Sequence, residues 1–477
     1  MNSIWTQTDH LSTFPRLEGH KEADVIVIGG GLAGILTADA LQQAGADVIV
    51  LEANRIGRGQ TAGTTAKLTA QHGLKYHSLI QSLGADAAAQ YAAANLKAVE
   101  HLGALIRSRD IRCDFQSCTS FLYAAEAPGP LEEEYHACRR LKMEVFLTHD
   151  TELPFSAEAL GLRHQATFHP LKLLDALAQT LTIYENSRVL TADEHTVHTQ
   201  HGKATGKKII FCCHYPFPNV PGFYFLRQHQ ERSYVLALEG AASLQNHYLG
   251  IDGQKLSFRP CGHTLLLGGS GQRTGENAQG GSYETLETAA KRFWPKCRIS
   301  ARWSAQDCTP MDGIPYIGQF AKHRPNWLVA TGFQKWGMSS SVLASMILSD
   351  LAQSRDPMKE AALFSPQRFH AKASAKQLAK DTVHAVRGLS RRLLEPGRIS
   401  VDDLPPGHGG IVHMDGEKLG VYRDEQGELL AVSVKCPHLG CQLEWNPAEK
   451  SWDCPCHGSR FDVHGDLLNG PANSGLQ

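Results

Sequence analysis

The sequence has no surplus of charge of either sign: across 477 residues, 47 Lys and Arg stand against 48 Asp and Glu, a net charge of −1. A nucleic-acid-binding protein needs a dense basic surface to displace counterions, so nucleic acid is not an expected partner. No apolar run approaches the roughly 18 residues that a transmembrane helix needs, and the chain does not open with a basic segment followed by an apolar one. These absences predict a cytoplasmic protein without a transmembrane segment.

The chain also lacks the low hydrophobicity and high charge of disordered proteins, because 42% of its residues are hydrophobic and 20% are charged. Its length predicts about three domains, or two of which one is large. Eight of the 12 cysteines are scattered over the first 308 residues, as expected for buried thiols in a reducing compartment. The other four fall within 21 residues near the C-terminus, a spacing that indicates a metal site.

Residues 24–29 (DVIVIG) form a continuous apolar run that predicts a strand covered on both faces. A glycine turn and an Ala/Leu-rich stretch to Ala44 predict a helix, and residues 47–51 repeat the buried-strand pattern. This β-α-β unit follows a polar arm of about 22 residues. The body after it mixes helices and short strands, which predicts an α/β or α+β fold with an inserted sheet.

The motif Gly29-x-Gly31-x-x-Gly34 lies between the first strand and the helix, and Glu52 ends the second strand. In that setting Gly29 allows a tight turn, and Gly31 lets the backbone approach a pyrophosphate. Gly34 lets helix and strand pack closely, and Glu52 would accept hydrogen bonds from a ribose diol. The motif therefore predicts a dinucleotide site at the N-terminus of the helix.

Three further segments indicate which dinucleotide is bound: the Gly/Thr-rich stretch after Glu52, CTPMDGIPYIG at 308–318, and a strand, glycine loop and apolar helix at 327–351. With them, most of residues 23–355 resembles the FAD-dependent oxidoreductases of the D-amino-acid oxidase type. The resemblance implies a Rossmann-like FAD-binding α/β fold with an inserted antiparallel substrate sheet. It also implies that the late helix points its N-terminus at the flavin, with residues 331–338 facing the ring. The further FAD contacts implied are Thr64, Thr65, Gly332, Trp336, Gly337 and Met338.

The same resemblance implies oxidation of a C–N bond, with hydride transfer to the flavin. A substrate sheet at about 225–300 would cover the substrate, and the candidates for holding an anionic group are Arg232, Arg259, Tyr283 and Lys335. Ser339 stands where the sarcosine-oxidase pattern has a lysine, which argues against a substrate carboxylate held there. His72 would lie near the flavin or, as we favour, serve as a hydrogen-bonded structural residue.

The C-terminal cysteines lie in two loops, Cys436-Pro-His438-Leu-Gly-Cys441 and Cys454-Pro-Cys456-His457-Gly-Ser459. Zinc held by two Cys and two His is the simplest alternative, but each loop carries an additional Cys. The spacing and both loop sequences resemble those of Rieske 2Fe–2S proteins. That resemblance implies one iron on Cys436 and Cys454 and the other on His438 and His457.

The Rieske resemblance implies further details. A disulfide would join Cys441 to Cys456, and the Ser459 hydroxyl would donate a hydrogen bond to a cluster sulfur. Phe461 stands where quinol-oxidising relatives have a tyrosine, and the lost hydroxyl predicts a lower reduction potential. The cluster histidines are expected to be exposed, so that they can pass electrons to an outside carrier.

A rival interpretation is a ring-hydroxylating oxygenase, which needs a mononuclear iron held by two His and a carboxylate. His164 and His169 have suitable spacing, but Gly161 stands where that pattern has Asp. The Rieske-like segment also lies at the opposite end of the chain. A helix that begins at Pro170 and is capped by His169 explains these residues better.

We therefore expect an oxidoreductase body at 1–365, a basic helical connector at 366–395 and a small all-β Rieske domain at 396–477. The nucleotide-binding parts of the body are expected at about 23–125, 163–222 and 305–355. Residues 396–477 hold six Lys and Arg and twelve Asp and Glu, whereas 1–395 hold 41 and 36, so opposite net charges would favour docking.

The function predicted is dehydrogenation of an amine or amino acid by FAD, with electrons passing singly through the Rieske cluster to a one-electron acceptor protein or carrier. Two alternatives stay open: a reductase with the reverse electron flow, and a non-enzymatic redox sensor. A second dinucleotide fingerprint is not apparent in the sequence, which disfavours direct use of NAD(P)H.

Overall fold

The computed structural model describes residues 3–7, 11–370, 373–374, 377, 400–414 and 416–477. Most of the expected connector at 366–395 lies outside the described residues. Of its described part, Arg368 is tied to the body by an ion pair with Asp312 at 2.8 Å.

The helices among the described residues have the following bounds. In chain order they are α1 (Ile4–Gln7), α2 (Leu32–Gln43), α3 (Gln60–Gly63), α4 (Lys75–Leu83), α5 (Ala85–Ser108), α6 (Gly129–Arg140), α7 (Pro170–Ala178), α8 (Ser282–Phe293), α9 (Gly337–Ala352) and α10 (Ala361–Phe364).

The strands fall into a body set and a C-terminal set. Those of the body are β1 (Gly19–Ile28), β2 (Val48–Leu51), β3 (Lys67–Leu68), β4 (Gln116–Ala124), β5 (Val145–Thr148), β6 (Glu158–Thr167), β7 (Thr182–Tyr184), β8 (Thr191–Ala192), β9 (Thr196–His198), β10 (Gly202–Phe211), β11 (Gln228–Glu239), β12 (His247–Gly250), β13 (Ser257–Cys261), β14 (Thr264–Arg273), β15 (Arg298–Pro310), β16 (Tyr316–Ala321) and β17 (Arg324–Thr331). Those of the C-terminal part are β18 (Gly409–Met414), β19 (Glu417–Arg423), β20 (Leu429–Ser433), β21 (Glu444–Asn446), β22 (Ser451–Asp453), β23 (Arg460–Phe461) and β24 (Leu467–Asn469).

The first sheet of the body has the order β16-β17-β10-β1-β2-β7 and is parallel from β17 to β7. Val25 to Ile28 are at most 4% exposed, because Val25 and Val27 pack in the core that contains α2, and Ile26 and Ile28 pack in a second core on the other face of β1. The predicted β-α-β unit is confirmed as β1, α2 and β2. The N-terminal arm is not merely polar, since Trp5 is 1% exposed and donates a hydrogen bond to the Thr64 carbonyl at 2.7 Å.

The second sheet has the order β15-β11-β14-β13-β12-β4-β6-β3, with β5 beside β6. The sheet expected at 225–300 is therefore only part of a larger one, because strands between residues 67 and 167 extend it through the parallel pairing of β12 with β4. Short strands of this kind are difficult to predict from sequence, because residue preferences in a strand depend on the strands that it packs against. Strands β11 and β15 bring their ends to the edge of the first sheet, next to α9.

The C-terminal part is all-β, as predicted. Its described strands form one antiparallel sheet of β18, β19 and β20 and another of β21 to β24. The core between them contains aromatic side chains together with the four clustered cysteines. The fold as a whole is a mixed α/β body followed by a small β domain.

Candidate active site and metal centre

The turn between β1 and α2 is built on glycines that have no room for a side chain. Gly29 has a φ of +110°, and a Cβ on it would lie 2.5 Å from the Cys212 carbonyl oxygen. A Cβ on Gly34 would lie 1.9 Å from the Gly29 oxygen, so helix and strand touch at that point. Gly31 is the N-cap of α2 and lines a cavity of about 1360 Å³. The free N–H groups of the helix therefore open onto a space in which a pyrophosphate fits.

Glu52 lies where β2 ends, at the wall of the same cavity. Its carboxylate accepts hydrogen bonds from Gly30 N at 2.7 Å and Asn54 N at 2.8 Å. Burial raises the pKa of Glu52. These backbone contacts hold the carboxylate beside the glycine turn, where it would accept further hydrogen bonds from a ribose.

The remaining predicted FAD contacts line this cavity too, although they come from distant parts of the chain. Trp336 is the N-cap of α9, and the first residues of that helix open onto the cavity. Gly332 has a φ of +74°, and a Cβ there would lie 2.4 Å from Pro310. The residues in question are Thr64, Thr65, Gly332, Trp336, Gly337 and Met338. A cavity of this volume, lined by the N-termini of two helices, fits FAD.

His72 is a structural histidine, as we favoured. Its ring nitrogens contact Tyr91 Oη at 2.7 Å and Ser339 Oγ at 3.0 Å, and its ring stacks on Trp336 at 4.6 Å. Burial lowers the pKa of His72 to about 3, so the ring is neutral. Its contribution is to hold Trp336 at the start of α9.

The structure separates the four candidates for holding an anionic group. Lys335 lines the cavity, and its Nζ lies 3.8 Å from a carboxylate oxygen of Glu231. Arg232 and Tyr283 also line the cavity, and both contact the carboxylate of Glu449 in the C-terminal domain. Arg259 lies elsewhere: it packs under the Trp5 ring and donates a hydrogen bond to the Phe168 carbonyl.

Two acidic residues of the cavity were missed by the sequence reasoning. Glu231 and Asp307 face each other on the paired strands β11 and β15, beside Lys335. Burial raises the pKa of Asp307 to about 7, because Lys335 only partly offsets the cost of a charge there. The two residues are neighbours because of the register in which β11 pairs with β15. That register cannot be read from the sequence of a single chain.

The two C-terminal loops bring the four predicted metal ligands together. A hydrogen bond from Cys454, together with bonds from the His438 N–H and Ser459, lowers the pKa of the Cys436 thiol. The His438 and His457 rings lie with their centroids 4.9 Å apart. Within the described part of the chain, His438 Nδ1 is buried and has no hydrogen-bond partner. Two adjacent thiols, one of which has a lowered pKa, and two adjacent imidazoles fit a Rieske cluster.

Cys441 and Cys456 form a disulfide between the two loops, as the resemblance implied. Their sulfur atoms lie within 4.8 Å of Cys454. Because the disulfide occupies both of these sulfurs, they are not available as metal ligands. The predicted ligand set therefore remains Cys436, His438, Cys454 and His457.

The expectation of exposed cluster histidines is wrong. His457 is 8% exposed, and the Phe225 ring lies edge-on to both histidines, with centroids 5.9 Å from His438 and 5.7 Å from His457. Asn219 Oδ1 accepts a hydrogen bond from His438 Nε2 at 2.7 Å. The body thus covers the side of the C-terminal domain on which both histidines lie.

Two glutamines of the body hold the second cluster loop. Gln230 Nε2 donates to the His457 carbonyl at 2.6 Å, and Gln306 Nε2 donates to the Gly458 carbonyl at 2.8 Å. A Cβ on Gly458 would lie 2.7 Å from Gln230, so this close contact requires glycine. C-terminal residues 467–473 line the same cavity as the glycine turn.

The residues of the rival oxygenase pattern have other roles. His169 caps α7 by accepting a hydrogen bond from Lys172 N at 3.2 Å, as predicted. His164 lies exposed on β6, and a Cβ on Gly161 would meet the Phe146 ring at 2.5 Å. These contacts account for the three residues without a mononuclear iron.

Comparison with known proteins agrees with this site. Residues 24–351 match the family described as FAD dependent oxidoreductase, and residues 398–477 match the Rieske [2Fe-2S] domain. The Rieske 2Fe-2S iron-sulfur protein YhfW of Bacillus subtilis (strain 168) is 36% identical over 488 residues, which cover 98% of this chain and 96% of that protein.

Two solved structures share the fold of the body. Glycine oxidase from Geobacillus kaustophilus superposes with a TM-score of 0.62 at 19% identity, covering 73% of this chain and 99% of that one. L-proline dehydrogenase from P. horikoshii superposes with a TM-score of 0.59 at 13% identity, covering 74% and 98%. In the part of the chain that the structure describes, no helix has the length and apolar character needed to cross a membrane.

Proposed function

Because the chain belongs to the FAD-dependent oxidoreductase family and ends in a Rieske [2Fe-2S] domain, we propose that it dehydrogenates an amine or amino acid and delivers the electrons through its cluster to an external one-electron acceptor. FAD accepts two electrons as a hydride, and a Rieske cluster carries one electron at a time. One observation carries the proposal: a single cavity runs from the glycine turn past the start of α9 to residues 467–473 of the Rieske domain.

The cavity offers a place for a substrate beside the flavin position. The segment 331–338, expected to face the flavin ring, lines the cavity, and Glu231 and Asp307 line it beside Lys335 of that segment. Such a mixture of acidic and basic groups suits a small polar substrate that carries an amine. The solved structures with this fold include a glycine oxidase and an L-proline dehydrogenase, which supports the choice of an amine or amino acid.

The docking of the Rieske domain supports transfer inside one molecule. Phe225 packs against both cluster histidines, and Gln230 and Gln306 fix the loop that carries His457. These contacts hold the cluster at a set position on the body, with no diffusional encounter needed for the first transfer.

Anaerobic rapid mixing tests this function on the full-length holoprotein. A panel of amines and amino acids is mixed with oxidised protein while flavin absorbance and the cluster's electron-resonance signal are followed. We expect one substrate class to bleach the flavin first, with the cluster signal appearing afterwards. A His438→Ala variant should still bleach, but it should lose reduction of a one-electron acceptor protein.

The two alternatives give different results in the same experiment. A reductase with reverse flow would show the cluster reduced first by a reduced carrier, and the flavin afterwards. A redox sensor would show no bleaching with any member of the panel and no turnover in either direction. Either result would overturn the dehydrogenase proposal.

A further inference from the structure

Arg232 is a buried cation at the boundary between the body and the Rieske domain. Its side chain is 3% exposed and projects from β11 into the shared cavity. It donates to Gln306 Oε1 at 3.2 Å and to the Ser304 hydroxyl. Because an arginine stays charged, its burial is costly unless an anion lies beside it.

The anion beside Arg232 is the carboxylate of Glu449, from the Rieske domain. Glu449 Oε2 lies 2.9 Å from Arg232 Nη2 and accepts the Ser304 hydroxyl at 2.6 Å. The other oxygen, Oε1, accepts the Tyr283 hydroxyl at 2.7 Å. Both carboxylate oxygens are thus held by donors of the body, and Oε2 also lies 3.6 Å from Arg460 Nη2 of the Rieske domain. These donors come from β11, β15 and α8, three elements that converge on one carboxylate.

Arg232 has a further donor to offer. Among the described residues, its Nε is a buried atom that has no hydrogen-bond partner. Arginine binds carboxylates best through two parallel N–H groups, and Glu449 engages one. The other nearby acid, Asp453, is bound to Arg460 at 2.9 Å. Arg232 therefore has an N–H donor that Glu449 does not use.

We propose that Arg232, Tyr283 and Ser304 form a carboxylate-binding site on the body, which Glu449 occupies as an internal ligand when the Rieske domain is docked. All four residues line the cavity, so a small carboxylate in the cavity reaches the same donors. Docking of the Rieske domain and binding of a free carboxylate at this site are then mutually exclusive. This inference goes beyond the proposed function, because it concerns docking and does not depend on turnover.

Thermal unfolding of the full-length holoprotein with Glu449→Ala tests the site by chemical rescue. The substitution should lower Tm by several degrees, because Arg232 is left without its anion. Sodium acetate should restore much of the loss, whereas acetamide and sodium chloride at equal concentration should not. Wild-type protein should show no such acetate effect, because its site is filled. Glu425→Ala is the matched control, since Glu425 is an exposed partner of Lys450, and its Tm should respond equally to acetate and chloride.

A double variant and a milder one complete the test. In Glu449→Ala with Arg232→Met, the rescue by acetate should disappear. If Glu449→Ala does not fold, Glu449→Gln retains the shape without the charge. In that variant, acetate should increase hydrogen exchange in the Rieske loop 454–459 by displacing the amide, and acetamide should not. Rescue that acetamide matches, or that survives the loss of Arg232, would overturn the proposal. The proposal would also be overturned if the response to acetate were no larger than the response to chloride in both Glu449→Ala and Glu449→Gln.

Discussion

Asn219, in the body, accepts a hydrogen bond at 2.7 Å from Nε2 of His438, in the Rieske domain. The amide oxygen is an acceptor only, so the proton of the imidazole lies on Nε2, and Nδ1 keeps its lone pair for iron. Nδ1 is buried and has no hydrogen-bond partner among the described residues. A residue of the body thus sets the tautomer and orientation of a predicted cluster ligand.

From this contact we expect Asn219→Ala to raise the reduction potential of the cluster. A hydrogen bond accepted from a ligating histidine makes that ligand more basic and favours the oxidised cluster, so its loss favours the reduced one. A redox titration followed by electron resonance measures the change. Asn326→Ala, at an asparagine that contacts Lys208 far from the cluster, serves as the control and should leave the potential unchanged. A lower potential in Asn219→Ala would contradict the assignment.

Cys454→Ser should remove the cluster while FAD stays bound. Cys454 follows β22 and the glycine turn follows β1, and these two strands belong to different sheets. The parent protein should contain about two irons and two acid-labile sulfides per chain, and the variant neither. Metal and sulfide analysis, with flavin absorbance on the same sample, decides this. Cys297→Ser is the control, since Cys297 lies on the body and outside the metal loops. Zinc without sulfide in the parent protein would refute the cluster.

Glu52→Ala and Gly31→Val should both weaken FAD binding, the second more than the first. The loss of one charge-assisted hydrogen bond from Glu52 costs roughly 1.5–3 kcal/mol. At Gly31 a Cβ meets only Thr61 Oγ1 at 3.3 Å, so a larger side chain mainly fills the space for the pyrophosphate. Equilibrium titration of apoprotein with FAD measures both changes. Gly129→Ala, where a Cβ meets nothing within 4 Å, should bind FAD normally.

Asp307 should contribute stability to the holoprotein that is lost as pH rises from about 4 to 7. Burial raises the pKa of this carboxyl to about 7, so the folded state keeps a proton that the unfolded state has already released. Stability falls with pH wherever the folded state binds more protons, by at most about 1.4 kcal/mol per unit of pKa difference. Asp307→Asn should remove this contribution, so the Tm of the variant relative to that of the parent protein should rise as pH increases from about 4 to 7. Asp356→Asn, at an exposed carboxyl, should leave the profile as it is.

Phe461→Tyr should raise the reduction potential of the cluster. Phe461 is fully buried in the core that also contains Cys436 and Cys454, so an added hydroxyl lies near the cluster sulfurs. A hydrogen bond to a sulfur favours the reduced, more negative cluster. The redox titration used for Asn219→Ala measures the shift. Phe461→Leu, which adds no donor, should not raise the potential.

The nucleotide-binding turn and the metal-binding loops were predictable because each is a short motif in one stretch of the sequence. Gly29 and Gly34 follow a buried strand at fixed spacing, and Cys436 and His438 stand two residues apart in a loop. The pairing of Glu231 with Asp307 was not predictable, since it depends on the register of two strands far apart in the chain. The burial of His457 was also not predicted, because the surface that covers it belongs to the body, which is distant in the sequence.

The close contact at Gly458 has a consequence for how the protein is made. Cys436 and Cys454 are 1% exposed, and the Gln230 side chain lies against the loop that carries the second of them. We therefore expect iron and sulfide to reach these predicted ligands before the glutamines of β11 and β15 close on that loop. In that order of maturation the cluster is assembled first, and the loaded Rieske domain then docks on the body.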